Sequence, residues 1–130
     1  MYRTVTNNFR VTVVPEFLGD RSEPARGRYF WAYRIEITNL GRSSAQLTHR
    51  HWRITDANGR LEEVKGAGVV GEQPVLAPGE SYHYTSGCPL TTPSGIMAGS
   101  YRFVDENGAV FDVEVPAFSL DSPHVKRVLN

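Results

Sequence analysis

Strict alternation of apolar and polar side chains is the sequence feature that most constrains the fold of this chain. In the segment 31–38, Trp31, Tyr33, Ile35 and Ile37 occupy every second position, and small or polar residues lie between them. A β-strand places successive side chains on opposite faces, whereas a helix needs an apolar spacing of about 3.6 residues. The segment therefore predicts a strand with one buried and one exposed face.

The same period of two recurs along the chain and predicts an all-β fold. We predict strands at 9–13, 31–38, 47–54, 61–65, 81–86, 101–104 and 111–115. Turn sequences separate them, namely Asn58-Gly59, Pro78-Gly79, Pro93-Ser94-Gly95 and Asn107-Gly108. Asn-Gly favours hairpin turns whose central residues take positive φ. We predict minimal helix and an antiparallel immunoglobulin or fibronectin type III-like β-sandwich of about seven or more strands.

A glycine-rich run, Gly66-Ala67-Gly68-Val69-Val70-Gly71, has the glycine spacing of a dinucleotide-binding loop. Such a loop holds a pyrophosphate at the N-terminus of the helix that follows it. Here Pro74 and Pro78 exclude that helix, because an internal proline removes a backbone donor and clashes with the preceding turn. We therefore predict a tight connection between strands, with Val69 and Val70 filling the core.

Anion binding is the functional alternative for this run, since backbone amides near glycines converge on phosphate or carboxylate groups in many folds. A cationic side chain would have to complete such a site. The candidate anion-binding residues are Gly66, Gly68, Gly71, Arg50, Arg53 and Lys65.

Histidines are the candidate metal ligands. His49 and His51 lie two positions apart in a predicted strand and therefore share a face, and His83 lies on another strand. A stable site takes three or four protein ligands, and the sequence places only two together. We predict no metal site and no cofactor; a metal-binding protein or metal-dependent enzyme built on these histidines is the third alternative.

The sequence gives no arrangement of nucleophile and base that would indicate an enzyme. Cys88 lies in Ser86-Gly87-Cys88-Pro89 without an identifiable base, and Ser94 lacks the nucleophile-elbow pattern. We predict no catalytic residues and a non-catalytic binding module. Mixed charge in the segment Glu16–Arg28 beside an aromatic strand suits either partner recognition or an ordinary solvated loop.

Composition limits the partners. The 14 basic and 14 acidic side chains cancel, so the molecule has no overall field to gather nucleic acid or anionic lipid. No apolar run reaches the roughly 18 residues of a membrane span, and one cysteine excludes an internal disulfide. We expect one domain over 1–130 with a C-terminal tail at 119–130, a cytoplasmic location, no nucleic acid and no membrane insertion.

Several longer segments resemble the ApaG family. They are Arg50–Gly59, Gly66–Leu76, Pro78–Gly87, Thr92–Tyr101 and Val115–Leu120, in the family's order. The resemblance implies a fibronectin type III-like sandwich that serves as an interaction module, free-standing in bacteria and attached to F-box and polymerase-interacting proteins in eukaryotes. It also implies an indirect link to cobalt and magnesium resistance. We expect a protein partner, with a pyrophosphate, nucleotide or other phosphate-containing small molecule as the alternative ligand.

Overall fold

Two antiparallel sheets pack face to face in the computed structural model, which describes residues 1–125 and contains nine strands in that range. The first sheet contains, in spatial order, β1 (Tyr2–Thr6), β2 (Phe9–Phe17), β3 (Tyr29–Asn39) and β7 (Ser81–Leu90). The second contains β5 (Leu61–Ala67), β4 (Ala45–Asp56), β8 (Gly95–Asp105) and β9 (Val110–Leu120), and the short β6 (Val75–Leu76) also pairs with β4. The predicted antiparallel β-sandwich is confirmed.

The core lies between the two sheets and takes its side chains from the alternating positions. Trp31, Tyr33, Ile35 and Ile37 of β3 are all buried, and so are the inward residues of the strands opposite them. The alternation works because each strand presents one face to the other sheet and one face to water. Apolar periodicity was therefore sufficient to predict the long strands.

The ends of several strands differ from the prediction. The hairpin between β1 and β2 was missed, although Asn7 and Asn8 carry the positive φ (50° and 64°) that a two-residue hairpin turn requires. β8 begins at Gly95, earlier than predicted, and so includes Gly95 and Gly99. Both glycines pack against neighbouring backbone, and a Cβ at Gly99 would collide with the carbonyl oxygen of His51. Glycine here marks close packing and not only a turn.

The two Asn-Gly turns follow a different geometry from the predicted one. Only the glycines have positive φ, 81° at Gly59 and 84° at Gly108, while the asparagines do not. At the first turn, Asp56 Oδ1 accepts hydrogen bonds from the amides of Asn58 and Arg60 at 2.9 and 3.0 Å. The carboxylate that precedes each turn thus closes it, as aspartate side chains commonly do.

The two long sides of the sandwich differ. Where β1 and β9 meet, the Asn7 side-chain amide donates to the Asp112 carbonyl at 2.8 Å, and the Ser119 amide donates to the Tyr2 hydroxyl at 3.3 Å. On the opposite side, β5 and β7 also end their sheets. Within residues 1–125 each of the four edge strands pairs with one strand only, but a cavity lies between β5 and β7. We call the first the closed side and the second the open side.

The segment Glu16–Arg28 and the described part of the tail both pack on the sandwich. The segment contains two short 3-10 turns, Gly19–Arg21 and Pro24–Arg26. The tail is held by hydrogen bonds from Trp31 Nε1 to the Asp121 carbonyl at 2.8 Å and from the Ser122 hydroxyl to the Pro93 carbonyl at 2.6 Å. Residues 119–120 belong to β9, and 126–130 of the predicted tail lie outside the described residues.

Within residues 1–125, no helix is both long and apolar enough to cross a membrane.

Candidate functional site

A trough runs along the open side between β5 and β7. Its upper part, the cleft, has a volume of about 320 Å³ and is lined by aromatic side chains together with Arg50. Its lower part, the groove, has a volume of about 650 Å³ and lies between the β4–β5 turn and the segment before β3. Ile54, Glu62 and Pro89 line both parts, so the two are continuous.

The glycine-rich run forms a tight turn at the top of the cleft. Val69 and Glu72 exchange backbone hydrogen bonds of 2.8 and 2.9 Å across a two-residue turn formed by Val70 and Gly71. Both central residues have positive φ, 43° and 81°, as in a type I′ turn. Val69 fills the core as predicted, but the prediction for Val70 is wrong: its side chain is 54% exposed because the turn directs it outward.

This turn is anchored on an irregularity in β4. The pairing register of β4 with β8 shifts between Leu47 and His49. The Thr48 carbonyl at this bulge accepts hydrogen bonds from the Gly68 amide at 2.8 Å and from Gln73 Nε2 at 3.0 Å. The bulge also resets the alternation, so that Arg50 faces the space between the sheets.

Arg50 links β4 to the end of β5. Its Nη1 donates to the carbonyls of Ala67 and Gly68 at 2.9 and 3.0 Å. Arg50 is directly opposite Gly66, and a Cβ at Gly66 would lie only 3.0 Å from the guanidinium, so the glycine leaves room for the arginine. Carbonyls of the run therefore bind Arg50, and the Gly68 amide is used within the fold; anion binding by these residues stays a prediction.

The remaining predicted cations lie elsewhere. Arg53 and Lys65 belong to positions that alternate with the inward-facing Trp52 and Val64, on the outer face of the second sheet. Of the three predicted cations, Arg50 binds carbonyls of the glycine-rich run, and Lys65 lines a depression on the outer face of the second sheet together with Gly66 and Arg50, whereas Arg53 does not line it.

The predicted histidines fall on two different surfaces. His49 and His51 lie on the outer face of the second sheet, where His51 Nε2 is 3.3 Å from Glu63 Oε1. His83 lies on the outer face of the first sheet, with its Nδ1 3.2 Å from Glu36 Oε2. Across the described part of the chain, no group of three or more His, Cys, Asp or Glu residues is arranged to hold a metal ion.

Hydroxyl and thiol groups of the cleft are protonated at neutral pH. Tyr84 Oη and Tyr101 Oη share a hydrogen bond of 2.5 Å, and burial raises the pKa of both hydroxyls. Burial likewise raises the pKa of Tyr33, and it raises the pKa of the Cys88 thiol to about 11. A protonated thiol is a poor nucleophile. Tyr33, Tyr84 and Cys88 line the cleft, whereas Tyr101 is fully buried and hydrogen-bonded to Tyr84.

The groove contains functional candidates that sequence reasoning missed. Arg21, Arg28 and Arg60 line it together with Asp56 and Glu62. Arg60 is distant in sequence from Arg21 and Arg28, and it lines the same groove because the β4–β5 turn lies at the end of the sandwich where β3 begins and β7 ends. The only sequence signal was the charge of the segment Glu16–Arg28, and it did not reveal that Arg60 joins that segment.

Comparisons with known proteins identify the family. The family model of the ApaG domain matches residues 19–105. The chain is 62% identical to Protein ApaG of Methylocella silvestris and 60% identical to Protein ApaG of Beijerinckia indica, over the full length of each protein. It belongs to the ApaG family.

A solved ApaG-like structure has the same fold. The crystal structure of a Bordetella pertussis protein described as ApaA superposes with a TM-score of 0.85 at 47% identity, covering 95% of this chain and 97% of that one. The matched ApaG domain span includes every residue that lines the trough.

Proposed function

We propose that this protein is a non-catalytic binding module that receives an extended segment of a protein partner in its trough. The observation that carries the proposal is the difference between the two long sides. In the range 1–125, all four edge strands pair with one strand only, but side-chain hydrogen bonds join β1 to β9 on the closed side, whereas an aromatic-lined cavity separates the edges of β5 and β7 on the open side. Unpaired edge strands bind extended segments through main-chain hydrogen bonds, and adjoining cavities select the side chains.

Exposed apolar side chains at the rim of the trough support this proposal. Leu61 in the groove is 56% exposed and Val70 at the top of the cleft is 54% exposed. Burying them against a partner removes apolar surface from water, which is the main driving force of most protein association. The trough thereby combines backbone donors and acceptors with apolar anchors.

The protonation states in the cleft support a non-catalytic role. A general base or activated nucleophile works best with a pKa near the operating pH. The tyrosine hydroxyls and the Cys88 thiol have their pKa values shifted upward, away from neutrality, by burial. Any part in cobalt and magnesium resistance would then be indirect, exerted through the bound partner.

Position-specific photocrosslinking in cells tests the proposal. A photoreactive amino acid replaces Val70 or Leu61 in the trough, and Val5 or Val110 serves as a control of closely similar exposure, 55% and 60%. We expect discrete protein adducts from the two trough positions and not from the two controls. Adducts of equal yield from all four positions, or from the controls alone, would contradict the proposal.

A further inference from the structure

The groove brings two arginines of the segment Glu16–Arg28 together with Arg60 from the β4–β5 connection. Arg21 ends the first 3-10 turn, Arg28 precedes β3, and Arg60 follows the turn after β4. All three are exposed, and none forms an ion pair with another residue in the range 1–125. Arg26, by contrast, pairs with Glu23 at 3.4 Å. Their convergence, against the two carboxylates Asp56 and Glu62, leaves an excess of positive charge in the groove of a molecule whose net charge is zero.

Acidic side chains of the groove cancel only part of this charge. Asp56 keeps its negative charge, and its Oδ1 is held in its own turn by the amides of Asn58 and Arg60 at 2.9 and 3.0 Å. Glu62 stands where the groove joins the cleft, away from the end that Arg21 and Arg28 line. Because three arginines and two carboxylates line the groove, its net charge is positive.

The floor of the groove is apolar and its walls are strand edges. Tyr29, Phe30, Leu61 and Leu90 contribute apolar surface, and the ends of β5 and β7 form the sides. An extended peptide alternates its side chains between two directions, so a segment that alternates aliphatic and acidic residues meets both the floor and the arginines. A volume of about 650 Å³ accommodates several side chains and exceeds what a small anion needs.

We propose that the groove selects an extended acidic segment of the partner protein, with Asp or Glu side chains paired to Arg21, Arg28 and Arg60. This proposal rests on the proposed binding function and adds the chemical class of its partner. The arginine fork suits carboxylate recognition because its donors bind both carboxylate oxygens.

Three labelled peptides of about eight residues, alternating Val with Glu, Gln or Lys, test the proposal by fluorescence anisotropy. We expect the Glu peptide to bind about tenfold more tightly than the Lys peptide, since exposed ion pairs each contribute a modest factor. The triple variant Arg21→Gln, Arg28→Gln and Arg60→Gln should lose this preference. Because these side chains are exposed, the variant should fold, which thermal unfolding verifies.

A matched control removes the same charge elsewhere. Arg3, Arg10 and Arg34 belong to the outer face of the first sheet, and replacing all three by Gln should leave Glu-peptide affinity within about twofold at 0.15 M salt, where charges more than about 8 Å away are screened. Equal losses in both triple variants, equal binding of the Lys peptide, or displacement of the Glu peptide by equimolar pyrophosphate would overturn the proposal. If trough crosslinks persist in such a case, the binding function stands and only the acidic preference falls.

Discussion

Val70 has a backbone conformation that its side chain disfavours. A φ of 43° is costly for a β-branched residue, by about 1–2 kcal/mol in the left-handed region. Burial does not offset this cost, since the side chain is 54% exposed. Strained residues of this kind concentrate at functional sites, and Val70 lies at the top of the cleft. A strained, exposed valine at this position is what the proposed binding function would require of an apolar anchor.

Val70→Asn separates stability from binding. Asparagine tolerates positive φ, so the free energy of unfolding should rise by about 1 kcal/mol in urea titrations. Photocrosslinking from Leu61 should fall at the same time, because the apolar anchor is lost. The control Val5→Asn changes a strand residue whose side chain is 55% exposed, close to the 54% of Val70. It should be slightly destabilising because asparagine is disfavoured in strands. A loss of stability in Val70→Asn would show that the valine is not strained.

The Tyr84–Tyr101 hydroxyl pair predicts non-additive mutations. Tyr84→Phe leaves the fully buried Tyr101 hydroxyl without its partner, which should cost about 1–3 kcal/mol of unfolding free energy. Replacing both tyrosines by Phe removes both polar groups, so the double variant should be more stable than the sum of the single losses implies. Chemical denaturation of the three variants measures the coupling; additive losses would mean that the hydroxyls do not depend on each other.

At the scale of elements, the turn between β5 and β6 requires glycine at positions 68 and 71 for different reasons. Gly68 has φ of 63°, and a Cβ there would collide with the Glu72 carbonyl oxygen. Gly71 has φ of 81° with open space around it. One position therefore combines strain with a steric clash, and the other has strain alone.

Alanine substitutions test this distinction. Gly71→Ala should lower the free energy of unfolding by about 1 kcal/mol, the cost of a left-handed alanine. Gly68→Ala should lower it by about 3 kcal/mol, because relief of the clash requires backbone movement. Both values come from urea titrations at one pH. Equal losses would indicate that Gly68 does not approach the Glu72 carbonyl as closely as described.

The alternation of apolar and polar residues predicted where the long strands lie. It did not predict which residues line the trough. Leu47 and Trp52 both face the core, although their odd separation is inconsistent with an unbroken strand. That conflict was the sequence signal for the bulge, and the bulge turns Arg50 inward. The meeting of Arg28 with Arg60 could not be predicted, because it depends on strand pairings between segments far apart in sequence.

At the scale of the whole molecule, the raised pKa values make stability depend on alkaline pH. The Cys88 thiol ordinarily has a pKa of 9.0 and in the fold has a pKa of about 11, and burial also raises the pKa of Tyr33, Tyr84 and Tyr101 above the ordinary 10.0. Above those ordinary values the unfolded chain releases protons that the folded chain retains. Rising pH therefore favours unfolding.

Urea titrations across alkaline pH test this dependence. The free energy of unfolding should be constant below about pH 8.5 and should fall through pH 9 to 11, by up to about 1.4 kcal/mol per pH unit for each group. In Cys88→Ala, the free energy of unfolding should begin to fall only near pH 10, because the tyrosine hydroxyls are then the remaining groups with raised pKa values. Constant stability up to pH 11 would show that these groups are not desolvated by the fold.

The asymmetry between the closed and open sides is the whole-molecule feature on which the binding function depends. Side-chain hydrogen bonds join the edge strands β1 and β9 to each other, whereas the edges of β5 and β7 face a common trough. A partner strand added to either open edge would pair with backbone groups that water now solvates.

Amide hydrogen exchange of the complex with the protein crosslinked at Val70 tests this claim most directly. The account predicts slower exchange in β5, β7 and the turn at Val69–Glu72 than in the free protein, with β1 and β9 unchanged. Slower exchange confined to β1, β9 or the outer faces of the sheets, or no change at the open edges, would contradict it.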